Sequence, residues 1–211
     1  MSWTQTARHP FKWLVRGLAA LLAAALLLVS PMACTTTVVR PEQVAEPARV
    51  VLIDHGRHAS LVLPADGDRM VRYAYGEWGW YALRKTGPLE AVGAMLVPTR
   101  GALGRRVLPG PVTRENVRQQ LGVPIEQQWP LLAEASRVRQ LRGRLDRIYR
   151  ENIDTEIRNP AFGLDFVHHP DSYSYFHNSN HVTADWLEQL GFEIEGPAFS
   201  SRWAVEPAEA D

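Results

Sequence analysis

Arg49-Val50-Val51-Leu52-Ile53-Asp54-His55-Gly56-Arg57-His58-Ala59-Ser60-Leu61-Val62-Leu63 is the stretch that decides the fold. Two short runs rich in β-branched and aliphatic residues flank five polar or small ones. This pattern predicts a buried strand over 49–54, a turn or bulge over 54–58, and a partner strand over 59–63. Further strand candidates follow at 70–75 and 77–83 around Gly76 and Gly79, at 89–97, and at 105–108.

The pattern then changes period. Thr113 is a favoured N-cap, and the helix it opens stops at Gly122. From Pro130 to about Asn159, Leu131, Ala135, Val138, Leu141, Leu145, Ile148 and Tyr149 recur at gaps of three and four, predicting one long helix with a single apolar face. Its opposite face carries Arg137, Arg139, Arg142, Arg144, Arg147 and Arg150, which read as a solvated surface. Residues 162–175 read as aromatic loop and strand, 178–190 as a final helix stopped by Gly191, and 192–194 as a last short strand. The expected class is α+β, an antiparallel sheet packed against helices.

Working back to the N-terminus, Arg8, Lys12 and Arg16 precede an uncharged run of Gly, Leu, Ala and Val over 17–29. A basic segment followed by an apolar one is the pattern of an export signal. The run is short for about 30 Å of hydrocarbon at 1.5 Å per residue. Ser30-Pro31-Met32-Ala33-Cys34 places a small residue before the only cysteine, which resembles the lipobox of bacterial lipoproteins. That resemblance implies lipidation at Cys34 and a membrane partner through residues 1–34, on the periplasmic side of the envelope with the outer membrane favoured, while an uncleaved signal anchor and plain secretion stay open as alternatives. Pro31 stands where the motif usually has Leu. A lone cysteine excludes an internal disulfide. Residues 35–48 read as a tether, 49–205 as the domain and 206–211 as an acidic tail. With Arg8, Lys12 and Arg16 set aside, 20 basic residues face 23 acidic ones, so the domain has no electrostatic footprint for nucleic acid.

Two segments carry polar groups beyond what a core requires, residues 54–60 and 176–181. A nucleophile at a helix N-terminus meets unpaired backbone N–H groups that can also receive an oxyanion, and a histidine on a nearby strand can act as base. His58-Ala59-Ser60-Leu61-Val62-Leu63-Pro64, Tyr75-Gly76-Glu77-Trp78-Gly79-Trp80-Tyr81 and His177-Asn178-Ser179-Asn180 together resemble the exported bacterial urease-region conserved protein family. That family is similar to circularly permuted papain-like enzymes, the NlpC-type cell-wall peptidases and the lecithin:retinol acyltransferase group. The resemblance implies a permuted papain-like fold with His58 as base, position 179 as nucleophile and Glu77 orienting the histidine. Asn178, Asn180, His181, His55, Trp80 and Tyr81 would then bind substrate, cell-wall peptide or lipid acyl groups, without a cofactor.

The departure is that the family wants cysteine where this chain has Ser179. A thiol ionises readily beside an imidazolium, whereas a hydroxyl must lose its proton during attack. Three readings stay open: a hydrolase or acyltransferase using serine, an inactive descendant that keeps the cleft, and a non-catalytic envelope lipoprotein binding peptide, glycan or a protein partner. Residue by residue, Ser179 and Asn178 are also ordinary helix caps, and His58 an ordinary hydrogen-bonding histidine. A metal site is a further alternative, because His177 and His181 lie four apart, with His168, His169, Asp165 and Asp171 nearby.

Overall fold

The computed structural model describes residues 13–21, 23, 34–87 and 97–206. Residues 89–96 of the strand expected over 89–97, the leader's apolar run beyond residue 23, and the tail over 207–211 lie outside the described residues. Residues 13–21 are helical, and among the described residues no helix is long and apolar enough to cross a membrane.

Ten strands and four α-helices of the domain are described. They are β1 (Thr36–Val39), β2 (Pro47–Asp54), β3 (Ala59–Ala65), β4 (Arg69–Glu77), α1 (Trp78–Tyr81), β5 (Thr99–Pro109), α2 (Arg114–Leu121), β6 (Gln127–Glu134) and α3 (Ala135–Glu151). After them come β7 (Ile157–Asn159), β8 (Leu164–Tyr173), α4 (Ser179–Gln189), β9 (Glu193–Glu195) and β10 (Trp203–Val205). The class is α+β. One seven-stranded sheet runs β6-β2-β3-β4-β5-β8-β7, with every pair antiparallel.

Val50, Val51, Leu52 and Ile53 are all fully buried because both faces of the sheet are covered. Val50 and Leu52 join Leu61, Leu63, Val71 and Tyr73 under α3 and α4, where Val138, Leu141, Leu145, Trp186 and Leu187 meet them. The alternate residues Val51, Ile53, Val62 and Met70 pack on the other face against Val117 and Leu121 of α2. Strand alternation thus supplies two cores from one continuous apolar run. Helix α2 begins and ends as its sequence predicts: Thr113 accepts from Asn116 N–H, and Gly122 takes the left-handed conformation at φ 65°.

Three expectations are overturned. The segment 35–48 is not a tether. Its Thr-Thr-Val-Val run forms β1, parallel to β10 and antiparallel to β9, with Thr36 and Val38 buried. β-branched residues favour a strand, and two C-terminal strands were there to receive this one. The following chain is also fastened, since the N–H groups of Ala45 and Glu46 donate to the Glu134 carboxylate. Glu206, at the start of the expected tail, donates its N–H to the Val38 carbonyl.

The long helix over 130–159 is the second correction. Residues 127–134 pair with β2 along its whole length, and the helix begins only at Ala135 and ends at Glu151. Leu131 and Ala133 satisfy a strand period, while Leu131 and Ala135 fit a helical one, so the apolar spacing is ambiguous and the vacant edge of β2 decides. Thirdly, the strand expected over 77–83 is the short helix α1, because Glu77 turns the chain by accepting from Trp80 N–H.

Candidate functional site

In the antiparallel sheet the end of β2, the start of β3, the end of β4, the start of β5, the end of β8 and the start of β6 fall at one end. The β2–β3 connection, α1, and the N-terminus of α4 gather there around a cleft of about 770 Å³. The wall includes His55, His58, Glu77, Trp80, Tyr81, Asn178 and Asn180, so most of the residues singled out in the sequence do converge. It also includes Phe162, Tyr173, Tyr175, Phe199 and Ser200, which carry no local motif.

The β2–β3 connection is built by its own polar groups. Asp54 Oδ1 accepts from Gly56 N–H at 2.6 Å, and Gly56 sits at φ 90°, where a side chain would be strained. Burial raises the Asp54 carboxyl above its ordinary range, against the pull of its hydrogen bonds from Gly56 and Ser201. His55 Nδ1–H donates to the Pro124 carbonyl at 2.7 Å, which leaves Nε2 as the acceptor. That nitrogen receives Arg72 Nη2–H and the Ser60 hydroxyl, both at 2.9 Å. The His55 ring is held neutral, its pKa pushed down to about 3 by burial, then by Arg72 and His58.

His58 stacks on His55 at 4.8 Å between ring centroids and meets the edges of Tyr81 and Phe162 at 5.5 and 5.7 Å. Its pKa falls to about 4, mainly through burial and secondly through the positive charge of Arg72. At neutral pH it is an unprotonated imidazole. Glu77 shares the cleft, yet its carboxylate is engaged by Trp80 N–H, and the charge His58 responds to is that of Arg72. Tyr81 reaches the cleft because Gly76 leaves room for it: a Cβ on Gly76 would lie 2.2 Å from the Tyr81 ring.

Across the cleft, Asn178 caps α4. Its Oδ1 accepts from the N–H groups of Asn180 (2.8 Å) and His181 (3.2 Å). Its Nδ2 donates to the Phe199 carbonyl at 3.2 Å and the Tyr175 carbonyl at 3.4 Å, tying the chain on both sides of the helix to its first turn. Two of the backbone N–H groups in the first turn of α4 are therefore satisfied within the protein. Ser179 is only 3% exposed, and the cleft wall passes from Asn178 to Asn180 without it. The Ser179 carbonyl accepts the Thr183 hydroxyl. The structure thus brings His58 and the start of α4 to one cleft, lined from that helix by Asn178 and Asn180 and not by Ser179.

His181 packs edge-on against Phe199 at 4.6 Å, while His177 and His169 pack on Tyr75 at 5.5 and 5.0 Å. Among the described residues no group of three His, Cys, Asp or Glu side chains is placed to hold a metal ion. His177 precedes the helix, so it and His181 are not successive turns of one face.

Arg72 is the site residue that sequence reasoning missed. Lying 1% exposed in the middle of β4, its guanidinium donates to Ser60 Oγ, the Phe162 carbonyl and His55 Nε2. A signal existed: in the run Met70-Val71-Arg72-Tyr73-Ala74, Arg72 stands in register with two core residues. No protein-family model, curated protein or solved structure matches the chain.

Proposed function

We propose that this chain is an exported, membrane-tethered protein of the permuted papain-like type whose cleft binds an amide- or ester-bearing ligand, cell-wall peptide or lipid, without turning it over. The observation that carries the reading is the placement of Ser179. It stands where the resemblance puts the nucleophile, at the start of a helix opposite a histidine, but is absent from the cleft wall. The capping of two neighbouring N–H groups by Asn178 points the same way, since acyl transfer depends on donors left open for the oxyanion. The aromatic wall suits a binding role, as apolar clefts with a few directed polar groups are where ligands settle.

A catalytic serine is the second reading, favoured by one observation: His58 is held neutral, as a general base must be. A fluorophosphonate probe separates the two. On the binding reading, the wild-type protein labels no more than Ser179→Ala. Stoichiometric labelling of the wild type that disappears in Ser179→Ala would establish a serine enzyme and end the binding reading.

Membrane attachment through Cys34 is part of the same proposal. Cys34 is exposed just before β1, where a lipid would leave the domain free to project from the bilayer. In a bacterial host fed labelled palmitate, the full chain is expected to incorporate label and Cys34→Ala to lose it. Equal incorporation by both would show that Cys34 is not the acceptor.

A further inference from the structure

Two polar atoms on the cleft residues are buried without a hydrogen-bond partner, Asn180 Oδ1 and Ser200 Oγ. Asn180 itself is 3% exposed. Buried polar groups are nearly always paired, so two orphans from one wall ask what would complete them. The asparagine oxygen can only accept. The serine hydroxyl can donate as well as accept.

They are also held near each other. Asn180 lies in the first turn of α4, and Asn178, two residues earlier, grips the carbonyl of Phe199, the neighbour of Ser200. A ligand that satisfies both must offer a donor to Asn180, and an acceptor is one of the two groups that would satisfy Ser200. A peptide carries both, the N–H of one amide and the carbonyl oxygen of another. An ester carries the acceptor alone, and so does a carboxylate. The flanking rings of Tyr81, Tyr175 and Phe199 provide apolar contact for what lies on either side of that amide.

We propose that Asn180 and Ser200 form an amide-reading pair: Asn180 Oδ1 accepts the N–H of a ligand peptide bond, and the Ser200 hydroxyl donates to a ligand carbonyl. The pair selects peptides over lipid esters as the cleft's ligand, and this rests on the binding reading above. Asn180 would then be a specificity-determining residue whose effect depends on the ligand's N–H, something a merely structural asparagine would not show.

The test uses two probes of the same shape, acetyl-tri-L-alanine and acetyl-tri-L-lactate, which differ only in N–H against O. Binding to the full chain is followed by NMR shifts of the Asn180 side-chain amide and of the Trp80 indole. The alanine probe is expected to bind about tenfold tighter, the effect of leaving one buried acceptor unmet. Asn180→Leu should erase that preference, and Asn180→Asp, which keeps an acceptor, should retain it. Ser200→Ala, which leaves the helix cap untouched, should weaken both probes alike. Equal binding of the two probes by the wild type overturns the amide-reading pair and leaves the cleft reading standing. Saturable binding of neither overturns both.

Discussion

Replacing Trp186 by alanine is expected to lower the unfolding free energy by about 3–5 kcal/mol, the usual cost of emptying a fully buried aromatic site. Trp186 is 1% exposed and belongs to the core that joins β2, β3 and β4 to α3. The same cluster includes Val38 of β1, Phe192, and Trp203 of β10. Helix α4, which bears Trp186, also carries Asn180 to the cleft. Phe176→Ala provides the contrast: that ring is 70% exposed at the mouth of the same helix, and its loss should change stability by no more than about 0.5 kcal/mol. Denaturant titration of the two variants measures both. A loss below about 1 kcal/mol for Trp186→Ala would mean that the helix does not pack on this core as described.

The second large effect belongs to Arg72→Met. A methionine of similar length fills the space but abandons the Ser60 hydroxyl, the Phe162 carbonyl and His55 Nε2 at once. Charge-assisted bonds of this kind are strong, and the acceptors they leave behind are buried at Ser60 and half-buried at Phe162 and His55. Against that stands the cost of burying the guanidinium, whose pKa is held down to about 9 by burial and then by Arg106. The balance is an expected destabilisation of about 2–4 kcal/mol.

The same substitution should change how stability depends on pH. His55 and His58 have folded pKa values near 3 and 4, below the 6.5 of an exposed histidine. As pH falls below about 6.5 the unfolded chain takes up protons that the folded protein refuses. Their contribution is therefore complete above pH 6.5 and is lost on acidification toward pH 4 and then 3, at most about 1.4 kcal/mol per pH unit for each ring. Arg72 is the second cause of both shifts, after burial. Without its charge the folded histidines accept protons at higher pH, so the fall in stability between pH 7 and pH 5 should be shallower in Arg72→Met than in the wild type. Parallel falls in the two proteins would show that Arg72 does not govern these rings.

Local chemistry makes part of this architecture legible in the amino-acid sequence alone. The flanks of His58 are strands because Val50–Ile53 and Leu61–Leu63 leave the chain few alternatives, and Thr113, Gly122 and Gly191 mark helix ends through caps that depend only on neighbouring residues. The convergence of His58, Glu77 and Asn178 was legible through the resemblance rather than through spacing, since 120 residues separate the first from the last. What sequence could not supply was any outcome that depended on a distant partner. Residues 127–134 became a strand because β2 offered an open edge, and 36–39 became one because β9 and β10 lay beside it. The absence of Ser179 from the cleft wall is of the same kind. Its identity as a residue of the first helical turn is local, but whether its side chain meets the cleft depends on how α4 lies against β3 and β4. Sequence by itself therefore determined the segments that cap, turn or exclude water on their own. Tertiary structure alone decided which strand edges were filled, which residues of the first turn of α4 line the cleft and that Arg72 would bond to His55, because those choices are made by contacts between residues far apart in the chain.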